Sequence, residues 1–359
     1  EGQVYDFKFH EANREWQPWI ETVPEFKLNP KLEFAEMLIP SMDTIRSDCL
    51  IETLLTNMCQ VLCVGETGTG KSVNIQRKLK QEMPAAYDPI FICFSAQSGC
   101  NDTQDFLDGK FERRRQGRDK FDTGLEYSIW GPALGKKNII MVDDLNMPMR
   151  QTYGDQPPIE ILRQWMDHEG WYDRKIMRRR VINDIVFCGA MGPPGGGRNP
   201  ITPRFTRHFT VLSFADLTSQ AMCGIFNQIF IDYLQRNQFQ EQIIALGETM
   251  VAASVQLFQR ANQDLRPTPS KSHYTFNLRD VARVIQGAMF ITNKKCVEPR
   301  QLASVWGHEI KRVFGDRLVV KSDGEWLTKE IDILYKSSFK LEHAEVEDDS
   351  IRHIWGSFM

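Results

Sequence analysis

The sequence predicts an α/β fold: a parallel sheet with helices on both faces, followed by a smaller helical domain. Two patterns predict it. Four apolar runs of strand length, 61–64, 90–94, 139–142 and 185–188, are separated by stretches of helical or loop character, and buried strands alternating with helices make a parallel sheet covered on both sides. Beyond about Phe214 the strand signal gives way to periods near 3.6 over 219–234, 241–261, 278–291 and 298–314, the mark of helices with one apolar face. The 359 residues exceed the roughly 250–300 at which a single core stops growing. Two domains are therefore expected: a large α/β domain over 37–213 and a small helical domain over 214–340, with a connector at 1–36 and a linker at 341–359.

Composition excludes several classes. With 42% hydrophobic and 25% charged residues the chain is neither disordered nor collagenous. A net charge of −3 with scattered basic residues leaves no electrostatic footprint for nucleic acid. No apolar run nears the ~20 residues that span a bilayer, so no membrane is expected, and no signal peptide opens the chain. The eight cysteines form no CxxC pair and are expected to be reduced core thiols, as in a cytoplasmic or cytoskeletal protein. The chain starts at Glu1 and stops at Met359, which is expected of a piece of a longer polypeptide. No repeat or heptad run is present.

Taken in order, residues 1–36 are rich in aromatics and charge without a clean period. An amphipathic helix running to Leu55 follows, with Ser41 or Asp43 as its cap. Next comes Gly65-Glu66-Thr67-Gly68-Thr69-Gly70-Lys71-Ser72, after the strand 61–64 and before a helix over 73–83. That context is the one a phosphate-binding P-loop requires. Glycines let the backbone curl until successive N–H groups point at a phosphate, and the helix start adds partial positive charge. Lys71 is then placed for the β- and γ-phosphates of ATP, or the β-phosphate of ADP, and the Ser72 hydroxyl for Mg²⁺. The strand 139–142 ends in Asp143-Asp144. Asp143 is read as a second Mg²⁺ contact, and Asp144 stands where a base that polarises the attacking water is needed. Hydrolytic P-loop enzymes of this kind keep a glutamate there. Aspartate is one methylene shorter, and reach precedes pKa in general-base work.

Longer motifs carry a resemblance. Asp143-Asp144-Leu145-Asn146-Met147-Pro148, the stretch from Gln156 to Trp165, Trp171-Tyr172-Asp173-Arg174, Gly192-Pro193-Pro194 through Arg198-Asn199-Pro200, and Thr202 to Phe209 closely resemble the third AAA+ module of axonemal dynein heavy chains. Tyr274 to Asp280 and Trp306-Gly307-His308-Glu309 extend it into the second domain. The resemblance implies an AAA+ P-loop fold with a helical lid, in a ring of unequal modules on one polypeptide. Each nucleotide would lie between one module's P-loop and the next module's edge, and this module's nucleotide state would gate the principal ATPase site in the first. It implies the adjacent modules as partners, intermediate and light chains only indirectly, microtubules only through another part of the heavy chain, and a ciliary or flagellar axoneme.

Position by position, it places Leu38, Ile39 and Pro40 against the adenine base. Arg279 falls at the sensor-two position, with a catalytic role over the phosphates of the same chain. Arg204 and Arg207 fall where an arginine finger serves the preceding module. The fourth core strand of such modules usually ends in a polar sensor, commonly Asn, where this chain has Gly192. Residues 118–129 read as a surface loop insertion of about a dozen residues, of the kind connections tolerate. Trp165, Trp171, Trp306 and Trp326 are expected as core or interface anchors. A shortened base and a missing sensor make this a site that holds nucleotide and hydrolyses it weakly. A fully active motor or remodelling ATPase and a purely structural module with an empty P-loop are the two rival readings.

Overall fold

The computed structural model describes residues 3–10, 13–23, 39–118, 126–195 and 197–346. They fall into two compact units, one joining the residues up to 23 to Met42–Asp216, the other joining 39–41 to Leu217 onward. In the first unit an antiparallel ribbon, β1 (Phe7–His10) and β2 (Glu15–Pro18), precedes α1 (Met42–Thr56), β3 (Val61–Gly65), α2 (Lys71–Arg77), β4 (Tyr87–Cys93) and α3 (Cys100–Asp108). Then follow β5 (Glu112–Arg118), β6 (Glu126–Gly131), β7 (Lys137–Asp143), α4 (Pro157–His168), β8 (Gly170–Tyr172), β9 (Arg179–Ile182), β10 (Ile185–Met191), α5 (Pro203–Thr206) and β11 (Thr210–Phe214).

The main sheet is wholly parallel in the order β11-β3-β10-β7-β4. Its inner strands read as unbroken apolar runs because both faces are covered. Val61 and Cys63 of β3, Ile139 and Met141 of β7, and Val186 and Cys188 of β10 pack on Ile51 and Leu55 of α1 and Ile75 of α2. The alternate residues Leu62, Ile140, Val142 and Phe187 face Leu107 of α3 and Ile159, Leu162 and Trp165 of α4. Burying one such side chain contributes about 1.5–3 kcal/mol.

Two strands run beyond the apolar signal. β4 starts at Tyr87, upstream of Ile90, and carries Pro89; it lies at the sheet edge, where a missing N–H is tolerated. β11, at the opposite edge, was not anticipated, because its polar Thr210 and Ser213 and its mostly exposed side chains leave no continuous apolar run.

The 118–129 segment departs from a surface loop. Residues 126–129 belong to β6, which pairs antiparallel with β5 from Arg118↔Glu126 to Glu112↔Gly131, while β9 joins β6 in parallel and β8 closes a second four-stranded sheet. The polar run 118–124 masked the alternation that begins at Glu126; residues 119–125 lie outside the described residues.

The cysteines are all free, yet only Cys63, Cys188 and Cys296 are buried, while Cys59 and Cys93 are exposed. The core-thiol expectation thus holds for three. An apolar neighbourhood in sequence does not bury a residue at a helix or strand end.

In the second unit α6 (Ser219–Arg236), α7 (Glu241–Asp264), α8 (Leu278–Ala288), α9 (Pro299–Val313), α10 (Lys321–Leu334) and α11 (His343–Val346) enclose one core around Phe230, Met250, Val284, Trp306 and Tyr335. α10 buries only Leu327, Ile331 and Leu334, too thin a stripe to stand out in its charged sequence. Trp165, Trp171 and Trp306 are buried with their N–H groups bonded to Ile182 O, Asp108 and Ser254; Trp326 is half-buried and bonds Asp264. Among the described residues no helix is long and apolar enough to cross a membrane.

Candidate nucleotide site

The glycine-rich loop leaves β3 at the carboxyl end of the sheet and enters α2. Gly65 is dictated by close approach: a Cβ there would stand 2.3 Å from the Phe214 carbonyl oxygen of β11, so the fifth strand and the first glycine of the motif require each other. Gly68 and Gly70 hold φ of +92° and +79°, a region that L side chains adopt only with strain. The turn brings Lys71 back over its own loop. The ammonium donates to Gly65 O at 2.8 Å, to Glu66 O, and to Thr69 Oγ1 at 3.1 Å, while the Thr69 hydroxyl donates to Glu66 O at 3.0 Å. Burial, then the nearby Arg198 cation, pushes the Lys71 pKa down against the opposing pull of Asp143, Glu66 and Asp144.

The two motifs meet. The Ser72 hydroxyl donates to Asp143 Oδ1 at 2.8 Å, so a neutral oxygen and a carboxylate oxygen share one point between α2 and the end of β7. Two hard oxygen ligands fit Mg²⁺, which is commonly held by one or two protein groups together with phosphate oxygens and water. No cluster of three or more His, Cys, Asp or Glu that could hold a metal is found among the described residues. Mg²⁺ bound here by Ser72 and Asp143 would neutralise phosphate charge.

Asp144 turns away from the strand with φ of +49°, and its backbone N–H bonds Asp143 Oδ1 at 3.0 Å. Its own carboxylate pairs with Arg198, Nη2 to Oδ1 at 3.2 Å. Arg198, which sequence reasoning quoted only as part of a motif, lies against Gly192: a Cβ on Gly192 would come within 2.8 Å of Arg198 Nε. The Gly192 carbonyl is already engaged, accepting from buried Asn146 Nδ2 at 2.7 Å. Further bonds from Asn199 N to Asn146 O and from Asn199 Nδ2 to Pro148 O, both 2.9 Å, tie Asn199 to the segment after β7, and Gln156 Nε2 donates to the same Pro148 carbonyl at 2.7 Å. The available signal was a basic residue beside a glycine run at the carboxyl end of a parallel sheet, where ligands gather.

The remaining expected residues are placed as follows. Arg204 sits exposed on α5 with no side-chain partner among the described residues. Arg207 is held by Asp167 at 2.7 Å, and this bond keeps the Asp167 carboxyl below its usual range. In the second unit, Ile39 packs against Ile229 with Ile225 and Met289 beside them, and Pro40 is half-buried. Arg279 is exposed in the first turn of α8, its N–H bonded to the cap Asn277. Leu38 lies outside the described residues.

A charged seam fixes α2 to α1. Asp48 pairs with Arg77, and Lys78 bonds Glu52 at 2.6 Å and Glu82 at 3.3 Å. Burial outweighs Arg77 and raises Asp48 to about 6. The folded-state pKa thus exceeds the unfolded value near 3.9, and stability is lost as pH rises through this window. Asp48→Asn lacks the titration, so the stability of Asp48→Asn relative to wild type should grow by roughly 1–2 kcal/mol between pH 4.5 and 7, allowing for partial solvent screening. Urea melts at both pH values check it, and a pH-independent difference would contradict the buried-carboxyl account.

Comparison with known proteins bears on this geometry. A family described as the P-loop containing dynein motor region matches residues 26–217, and one described as the AAA+ lid domain matches residues 250–350. Dynein axonemal heavy chain 1 of Homo sapiens is 40% identical over 353 residues, 91% of this chain and 8% of that protein. Dynein axonemal heavy chain 12 of Homo sapiens is 36% identical over 373 residues, 100% and 12% respectively, and dynein axonemal heavy chain 3 of Mus musculus is 37% identical over 367 residues, 99% and 9%. The chain therefore spans about a tenth of the length of these relatives. The five-stranded parallel sheet with flanking helices and the helical unit after it make an AAA+ P-loop fold with a lid.

Proposed function

The chain belongs to the P-loop dynein motor-region family, and from that premise we propose that it is the third AAA+ module of an axonemal dynein ring, a site that binds Mg-ATP or Mg-ADP, hydrolyses slowly and regulates its neighbours. The observation that carries the nucleotide reading is the 2.8 Å bond between Ser72 and Asp143, which joins loop and strand motifs at one point. The module number rests on the motifs after Asp143 and in the 192–209 stretch, and the restrained turnover on Asp144 and Gly192. The adjacent modules of the same heavy chain are the proposed partners, with microtubules reached through another part of it, in the axoneme of a cilium or flagellum. The boundaries 37–213 and 214–340, which rest on the change from strand runs to helical periods, belong to the same proposal, as do the adenine strip at residues 38–40 and the phosphate role of Arg279, which rest on the resemblance.

Of the two finger candidates, Arg204 suits the role better, because Arg207 is paired with Asp167 and would have to surrender that bond to serve a neighbouring module. A finger acts in trans. Mg-ADP titrations of wild type, Arg204→Ala and Arg207→Ala should therefore give the same affinity. A large loss in one variant would place that arginine at the chain's own nucleotide, and a wild-type chain that takes up no Mg-ADP would overturn the binding reading and favour a structural module.

A further inference from the structure

Gly192 removes a side chain from the end of β10, and the structure shows what fills the space. The Arg198 side chain lies across Gly192, and no residue larger than glycine fits at 192 without moving it, since a Cβ would fall 2.8, 2.9 and 3.0 Å from Arg198 Nε, Cδ and Cζ. Its Nη2 reaches Asp144 Oδ1 at 3.2 Å, and its charge also acts on Lys71, pushing that pKa down. Arg198 Nε is buried and, among the described residues, has no hydrogen-bond partner. A guanidinium has five donors in a planar fork suited to phosphate oxygens. One salt bridge at 3.2 Å therefore leaves most of its capacity unused, beside the carboxylate placed for the attacking water and within electrostatic reach of the lysine that meets the outer phosphates.

We propose that Arg198 is the sensor of the terminal phosphate in this site: it takes the place left by Gly192 and exchanges its bond to Asp144 for a bond to the γ-phosphate oxygens. The inference rests on the nucleotide reading above and deepens it. Two consequences follow from the exchange. Arg198 adds affinity for a triphosphate and little for a diphosphate, because only the former presents oxygens on the Asp144 side. Asp144 is held by Arg198 until a third phosphate competes for the cation, so the shortened base is released only when there is a bond to break. Arg198 thus touches the substrate itself at the γ-phosphate and governs the water through Asp144.

The test compares Mg-ADP with a non-hydrolysable Mg-ATP analogue on the full chain. Arg198→Ala should weaken the triphosphate analogue by about 10- to 100-fold, the range of a charge-assisted bond, and leave ADP within about twofold. Arg198→Lys should recover part of the loss. Gly192→Ala, which displaces Arg198 without removing it, should reproduce the selective loss, and it keeps the test alive if Arg198→Ala misfolds. Asp144→Asn should raise triphosphate affinity severalfold in the wild-type background and not in Arg198→Ala, since it frees a cation only where the cation exists. Equal loss for both nucleotides would mark Arg198 as a brace of its loop and overturn the inference; so would an unchanged ratio of the two affinities. Failure of the wild-type chain to bind Mg-ADP would instead overturn the nucleotide reading beneath it.

Discussion

Lys71→Ala is expected to abolish Mg-nucleotide binding, by at least about 100-fold, while leaving the chain folded. The ammonium is the charge that the loop presents to the outer phosphates, and a charge-assisted bond to phosphate is about twice as strong as a neutral one. Its loss is not shared out, because neither loop backbone nor Ser72 can replace a cation. Stability should change little, by about 1 kcal/mol or less, since Lys71 packs chiefly against its own loop carbonyls and burial already disfavours its charge. Titration of a fluorescent ADP analogue beside a thermal melt checks both halves. Unchanged affinity would move the site elsewhere; an unfolded variant would mean that Lys71 is a structural brace.

The second large effect is on turnover. The chain by itself is expected to hydrolyse ATP at close to background rate although it binds nucleotide. Asp144 is shorter than glutamate and emerges with a left-handed backbone, so its carboxylate is poorly placed to reach a water. Gly192 has no side chain, and its carbonyl is occupied by Asn146. A finger in trans would have to come from a neighbouring module. Lack of a finger alone can slow related P-loop enzymes by roughly 10³–10⁵-fold, and misplacement of the water adds to that. None of these groups contributes to the loop's grip on phosphate, so binding and hydrolysis should separate.

Much of this site is legible in the sequence because its two halves are local. The glycine turn, Lys71 and Ser72 lie within eight residues, and the apolar run before Asp143 announces a strand that must end where the loop ends. Inner strands buried on both faces advertise themselves. The edge strand β11 does not, because three of its five side chains are exposed, and yet it is the reason Gly65 must be glycine. Arg198 was harder still. Its position depends on a pairing across 54 residues with Asp144 and on space vacated by Gly192, and no spacing rule on one strand carries that information. From the sequence, Gly192 reads as a missing side chain; in three dimensions it makes room for another. The pairing of β5 with β6 was hidden for a simpler reason: β5 is polar throughout and continues into a polar stretch that reads as loop, leaving only the short β6 with any alternation.

The central claim is that this site holds nucleotide rather than consuming it, and the fate of one bound ATP tests it most directly. The chain, in excess over radiolabelled Mg-ATP, is quenched at intervals from seconds to an hour, with Lys71→Ala as the control for contaminating ATPase. The account predicts that labelled nucleotide is bound and recovered largely as ATP at the longest interval, with the variant binding none. Conversion of bound ATP to ADP within a second, absent in the variant, would contradict it and make the chain an active ATPase in its own right.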